Sequence, residues 1–127
     1  MALSVFYNHL NDLLNIKQEG FKLASTKVDS GICGFQTEIE AQCNDFQHVD
    51  FKINSTCKNI TELANELPQV DAFNEIKSGY DGEIYTKAKK VQKSNCAGCV
   101  VPPAIFKTMQ VAANLALPKD AKIEIKK

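Results

Sequence analysis

The chain has no arginine, and its fifteen lysines balance fifteen aspartates and glutamates, so its formal net charge at pH 7 is zero. Arginine supplies the planar donor fork that proteins use for phosphates and guanine edges. Without that fork or a net positive field, the chain is not steered toward nucleic acid or an anionic membrane surface. The composition therefore argues against nucleic-acid binding and membrane binding.

Recognisable catalytic patterns are also missing from the sequence. There is no glycine-rich phosphate loop, no paired nucleophile and base, and no carboxylate pair that stands out from the solvated charges. Of the two histidines, His9 is expected to pack beside leucines in a helix, and His48 is expected to be exposed near a turn. The sequence does not decide whether the protein is an enzyme.

Long apolar runs are absent as well. Residues 1–17 lack a charged n-region, and four polar residues interrupt their apolar stretch: Asn8, His9, Asn11 and Asp12. We therefore expect neither a secretory signal nor a membrane span there, and the cytoplasm, which is reducing, is the expected location. A length of 127 residues suits one domain over residues 1–127.

The spacing of apolar residues predicts an α+β fold with the element order α-β-β-β-α-α-α-β. Residues 1–20 hold an N-terminal amphipathic helix (2–18), and residues 21–127 form the α+β core. Strands are predicted at 21–28, 35–43, 49–57 and 121–126, and helices at 59–67 (capped by Asn59), 83–93 and from Pro102-Pro103 to about Leu117. Residues 69–82 show no regular pattern. We expect an antiparallel or mixed four-stranded sheet with helices on one face.

Clean alternation over residues 35–43 and 49–57 predicts a hairpin that is solvated on one face. A turn centred near Phe46 pairs residues whose numbers sum to about 92. Cys43 then faces Val49 at the turn end, and Phe35 faces Cys57 at the open end. Cys43 is expected to be a buried apolar residue of the strand.

The chain is comparatively rich in cysteine. It has five, an odd number that cannot be completely paired in internal disulfides. The hairpin register brings Cys33 to Cys57 at the open end, roughly 27 Å from Cys43 at about 3.4 Å per strand residue. The Cys96-Ala-Gly-Cys99 loop adds a pair of thiols that can chelate one metal ion. We therefore expect Cys33, Cys57, Cys96 and Cys99 to be ligands of a zinc ion or an iron–sulfur cluster.

A thiol redox protein is the first alternative. Cys96 and Cys99 would be its working pair, with Cys33 or Cys57 as a resolving partner. In thioredoxin-type proteins such a pair opens a helix. Here Pro102-Pro103 predicts a helix that begins near Pro103, which leaves both cysteines in the preceding loop and favours a ligand loop.

A non-enzymatic interaction module is the second alternative. The cysteines would then be buried core residues. The N-terminal helix carries Phe6, Leu10, Leu13 and Leu14, which would form a homodimer or bind a protein partner.

Four stretches of the chain resemble a family of small uncharacterised proteins from anaerobic bacteria and methanogenic archaea. They are I32-C-G-F-Q-T-E-I-E, S55-T-C57, C99-V-V-P-P-A-I-F-K and V111-A-A-N-L-A-L-P-K-D, within residues 28–126. The resemblance implies a cysteine or a histidine at the position of Cys96, and a C-P-V-P run from which this chain departs at Val100. Histidine preserves metal ligation better than dithiol chemistry, so the resemblance supports a metal site and supplies no reaction.

Overall fold

Residues 22–127 are described by a computed structural model of the chain. Its four strands form one antiparallel sheet in the order β1-β2-β3-β4: β1 (Lys22–Asp29), β2 (Gln36–Cys43), β3 (His48–Ser55) and β4 (Gln69–Asp71). Four α-helices accompany them: α1 (Lys58–Asn65), α2 (Ala72–Ser78), α3 (Glu83–Val91) and α4 (Val101–Ala112). Short 3-10 turns occupy Gly31–Cys33, Gly79–Asp81 and Ser94–Gly98. The α+β class and the antiparallel sheet are therefore confirmed.

The central hairpin has the predicted register. Cys43 pairs with Val49 and Thr37 pairs with Ser55, so paired residues sum to 92. Burial along β2 alternates strictly, with Thr37, Ile39, Ala41 and Cys43 buried. The turn closes because Phe46 adopts a left-handed φ of 63° and Asp45 Oδ1 accepts the backbone N–H groups of Gln47 and His48.

The helices cover one face of the sheet. The helix α4 packs on β1 and β2, and α1 packs on β3. Apolar side chains of the sheet and the helices close a core that includes Ile39, Val49, Leu63, Ile105 and Met109, all fully buried. The other sheet face carries exposed polar residues, as the alternation predicted.

The segment without a sequence pattern is folded. Residues 69–71 form β4, and Asp71 then caps α2 by accepting the N–H groups of Phe73 and Asn74. A strand of three residues and a helix of seven are too short to show a period in the sequence. The described order is therefore β-β-β-α-β-α-α-α.

Several boundaries differ from the prediction. Cys57 is the N-cap residue of α1, and Asn59 lies in the first turn of that helix. The helix α4 ends at Ala112 because Asn114 adopts a left-handed φ of 65°. Residues 121–126 are not a strand, and β4 supplies the fourth strand instead.

The predicted helix over residues 2–18 lies outside the described residues, as does its proposed role in pairing subunits. Among the helices of residues 22–127, none is long and apolar enough to cross a membrane.

Candidate cysteine site

Cys33 lies in the connection from β1 to β2. The 3-10 turn Gly31–Cys33 is closed by a hydrogen bond from the Gly34 N–H to the Gly31 carbonyl (2.8 Å). Gly31 and Gly34 both have a positive φ, 83° and 77°, which glycine adopts without steric cost. The turn leaves the Cys33 side chain exposed.

Cys57 lies at the same end of the sheet. The Thr56 N–H donates to the Gln36 carbonyl (3.1 Å), and the Gln36 N–H donates to Thr56 Oγ1 (3.0 Å). These bonds hold the end of β3 beside the start of β2, where the β1–β2 connection arrives. Cys57 follows directly, half-buried and packed against the core as the N-cap of α1.

The loop with Cys96 and Cys99 meets α1 at this end. Asn59 Nδ2, in the first turn of α1, lies 3.8 Å from Cys96 Sγ as a hydrogen-bond donor. The Cys99 N–H donates to the Cys96 carbonyl (3.0 Å), which folds the two cysteines into one turn. Cys57 is therefore linked to the cysteine pair through Asn59, which lies two residues after it and contacts Cys96.

The helix α4 starts earlier than the sequence predicted. The helix begins at Val101, two residues before Pro103, because prolines in the first turn need no N–H donor. The Val101 N–H donates to Cys99 Sγ at 3.5 Å. Both cysteines precede the helix, as the sequence predicted, with Cys96 in the 3-10 turn Ser94–Gly98 and Cys99 directly after that turn, but Cys99 lies closer to the helix start than expected.

Cys43 is separate from the other four cysteines. It is buried on β2 beside the hairpin turn, where burial raises the pKa of its thiol above the ordinary value. Its S–H donates weakly to Asp45 Oδ1 (3.9 Å). The predicted separation of Cys43 from the open end of the hairpin is therefore observed.

The four remaining cysteines share one end of the fold without forming a closed ligand set. Within residues 22–127, no three side chains of histidine, cysteine, aspartate or glutamate are grouped so that they could hold a metal ion. The residue types fit a zinc or iron–sulfur site. Their arrangement provides one preformed pair, Cys96 and Cys99, and two further thiols on adjacent segments.

A pocket of about 300 Å³ adjoins the cysteine pair. One face of α3, the residues that follow it, the turn that holds Cys96 and Cys99, and the start of α4 line the pocket. Its side chains include Tyr85, Lys89, Gln92, Lys93 and Pro102. Burial, and secondarily the nearby Tyr80, raises the pKa of the Tyr85 hydroxyl. The two thiols therefore border a partly open pocket that two lysines also line.

The site predicted from the sequence does not include Tyr85 or the two lysines. Tyr85, Lys89 and Lys93 follow each other at intervals of four residues, directly before the cysteine loop. Residues four apart lie on one helix face, so the spacing of Tyr85 and Lys89 in α3 was a signal that could have found those two residues. Lys93 lies in extended backbone beyond the end of α3 at Val91, so the helical spacing does not place it.

His48 is exposed near the β2–β3 turn, as the sequence predicted, and its Nδ1 lies 2.8 Å from Asp45 Oδ2.

The comparisons with known proteins give a family and no activity. No curated protein and no solved structure gives a significant match to the chain. A family model described as a family of unknown function (DUF6951) matches residues 24–125, close to the range of the resemblance found in the sequence. The chain therefore belongs to this family of unknown function.

Proposed function

We propose that the protein is a small cytoplasmic metal-binding protein, with Cys33, Cys57, Cys96 and Cys99 as thiolate ligands of a zinc ion or an iron–sulfur cluster. The observation that carries this proposal is the meeting of three cysteine-bearing segments at one end of the sheet. Asn59 of α1 contacts Cys96 at 3.8 Å, and the bonds between Gln36 and Thr56 hold the base of the Cys33 turn beside Cys57.

The ligand segments differ in how far they are prepared for metal binding. Cys96 and Cys99 lie in one hydrogen-bonded turn and form a chelating pair. Cys57 is anchored by β3 and α1, while Cys33 is exposed between two glycines. In our proposal the pair binds first, and the remaining two thiolates close the coordination sphere.

A bound metal ion or cluster would join the β1–β2 connection, the start of α1 and the loop before α4. Each thiol must lose its proton before it ligates, so binding releases protons and weakens as pH falls. The binding free energy would add to the stability of the folded domain.

The direct test is metal analysis with an absorption spectrum on protein purified without oxygen, since the resemblance is to proteins from anaerobes. We expect one zinc per chain, or iron with sulfide and visible absorption. Colourless protein without stoichiometric zinc or iron, even after incubation with zinc or with ferrous iron and sulfide, would contradict the proposal.

Serine variants assign the ligands. Cys57→Ser should lose the metal because it removes a ligand from the anchored segment. Cys43→Ser is the matched control: it should keep the metal but lose some stability, since a buried hydroxyl has poorer apolar packing than a thiol. A site that empties in Cys43→Ser and stays full in Cys57→Ser would overturn the ligand assignment.

A second candidate function is thiol redox chemistry at Cys96 and Cys99. It is favoured by the pocket that the two thiols share and by the Val101 N–H that donates to Cys99 Sγ. The two thiols would form a disulfide by losing two protons and two electrons to a small-molecule disulfide, which leaves as two thiols.

Equilibration with glutathione redox buffers distinguishes this candidate. A redox protein should form the Cys96–Cys99 disulfide reversibly, and Cys96→Ser should stop at a mixed disulfide on Cys99. Metal-free protein whose pair stays reduced across the accessible buffers would exclude the redox function. Stoichiometric metal that blocks the exchange would favour the metal site.

A further inference from the structure

Within residues 22–127, β1 is an edge strand of the sheet. The spatial order places β1 last, paired on one side with β2 over Lys22–Asp29 and with no other strand of residues 22–127. An edge strand leaves a row of N–H and C=O groups available to another chain. This edge is eight residues long and contains no proline, so it lacks a common protection against pairing.

The C-terminal segment has the sequence of a strand and no partner strand among residues 22–127. Over residues 121–126 apolar and charged residues alternate, yet the segment carries no secondary structure. Ile123 and Ile125 are 68% and 89% exposed. On the charged positions, Lys122 Nζ and Glu124 Oε2 form an ion pair at 2.8 Å.

We propose that residues 121–126 of one copy pair with β1 of a second copy, antiparallel, and that the second copy returns the same contact. Within residues 22–127, each chain offers the long β1 edge and one strand-like segment that pairs with no strand. A two-fold symmetric dimer uses both in each copy, so the contact closes with two chains.

Charge and burial select one register. With Glu124 opposite Lys27, Lys122 lies opposite Asp29 on the solvated face. Ile123 then lies opposite Val28 and Ile125 opposite Thr26, on the face that packs under α4. A shift of two residues in either direction places a lysine opposite Lys27, and a shift of one residue turns the isoleucines to the solvated face.

The apolar contact is tested on the full chain by light scattering coupled to size exclusion. Wild type should be a dimer, and the double variant Ile123→Glu/Ile125→Glu should raise the dimer dissociation constant by at least about tenfold. Ile76→Glu, a matched change of an isoleucine that is 44% exposed on α2, should leave the dimer unchanged.

The register is tested by exchanging charges. Lys27→Glu and Glu124→Lys should each weaken the dimer, and the double variant should restore it because the opposite charges face each other again. Hydrogen exchange should show protection of β1 amides in wild type that is lost in the double isoleucine variant.

Three outcomes would overturn the proposal. They are a monomeric wild-type chain at high concentration, a dimer that survives the double isoleucine variant, and protection of β1 in a monomer, which would place the segment on its own chain. Deletion of residues 1–18 should leave the dimer in place. If deletion of residues 1–18 abolishes the dimer and the double isoleucine variant does not, the N-terminal segment forms the dimer. That result would also refute the pairing of residues 121–126 with β1.

Discussion

Within residues 22–127, Glu75 is a charged residue whose side chain is fully buried. It stabilises the start of α3. Its Oε2 accepts the N–H of Glu83 at 2.8 Å, and its Oε1 accepts the N–H of Ile84 at 2.9 Å. These N–H groups have no partner within their own helix. A negative charge at the helix N-terminus also interacts favourably with the positive end of the helix dipole. Gly82 makes the arrangement possible, because a Cβ at that position would lie 2.9 Å from Glu75 Oε2.

Gly82→Ala should lower the free energy of unfolding by about 1–3 kcal/mol, because the methyl group displaces a buried carboxylate from its two donors. Urea unfolding followed by circular dichroism measures the change. Gly98→Ala is the matched control, since a Cβ there meets nothing within 4 Å; it should be neutral to within about 0.5 kcal/mol. Equal losses in both variants would contradict this role of Glu75.

At the scale of elements, the β2–β3 turn carries an ion pair whose strength depends on pH. The hydrogen bond to the Asp45 side chain raises the pKa of His48, and the same bond is the main cause of the lowered pKa of Asp45. A raised histidine pKa stabilises the fold below the unfolded value of about 6.5, and that contribution disappears as pH rises through the folded pKa. The lowered pKa of Asp45 acts oppositely, and its contribution disappears as pH falls below about 3.9.

His48→Gln should remove a fall in stability that wild type shows between about pH 6 and 8. Urea midpoints across this range, with the imidazole titration of His48 by NMR, make the measurement. His9→Gln is the control and should keep the fall. An unchanged pH profile in His48→Gln would refute the coupling to Asp45.

The end of α4 is set by a Schellman arrangement. The Leu115 N–H donates to the Gln110 carbonyl (2.7 Å), and the Asn114 N–H donates to the Val111 carbonyl (3.0 Å). Asn114→Gly should stabilise the protein by a few tenths to about 1 kcal/mol, because glycine adopts the left-handed φ at no steric cost. Asn114→Ala should destabilise it by about 1 kcal/mol. Thermal unfolding of both variants measures the difference, and a change of the same sign in both would contradict this account.

The β2–β3 hairpin, α4 and residues 121–126 show how much of the fold the local sequence predicts. Alternation specified the hairpin down to its register, since a slip of one residue would turn Ile39 and Ala41 to solvent. The helix α4 was predicted five residues too long because its apolar spacing continues beyond Asn114. Residues 121–126 have the alternation of a strand, but alternation does not specify which edge the strand joins.

At the scale of the whole molecule, the hairpin register predicted which end of the sheet holds Cys33 and Cys57 and that Cys43 lies apart. The contact between Asn59 and Cys96 was not predictable, because it depends on how α1 and the loop before α4 pack together. Whether the four thiols assemble depends on a ligand that a sequence does not encode. We therefore propose that the fold brings the four thiols to one end of the sheet and that a bound metal ion or cluster would complete the site.

Zinc should consequently raise the stability of the whole domain. A ligand that binds only the folded chain adds about 2.7 kcal/mol at a free concentration one hundred times its dissociation constant. We expect the unfolding temperature of wild type and of Cys43→Ser in reducing buffer to rise with zinc and to fall again with a chelator. Cys57→Ser should gain much less.

The gain should also shrink toward about pH 5.5, where protons compete with zinc for the thiolates. This dependence separates a cysteine site from binding at carboxylates, which remain ionised at that pH. Calorimetric scans of the three proteins at about pH 7.5 and 5.5 measure both effects. An equal rise in Cys57→Ser, or a rise that does not depend on pH, would place the zinc elsewhere, because neither result requires the thiolates that the fold collects at this end of the sheet.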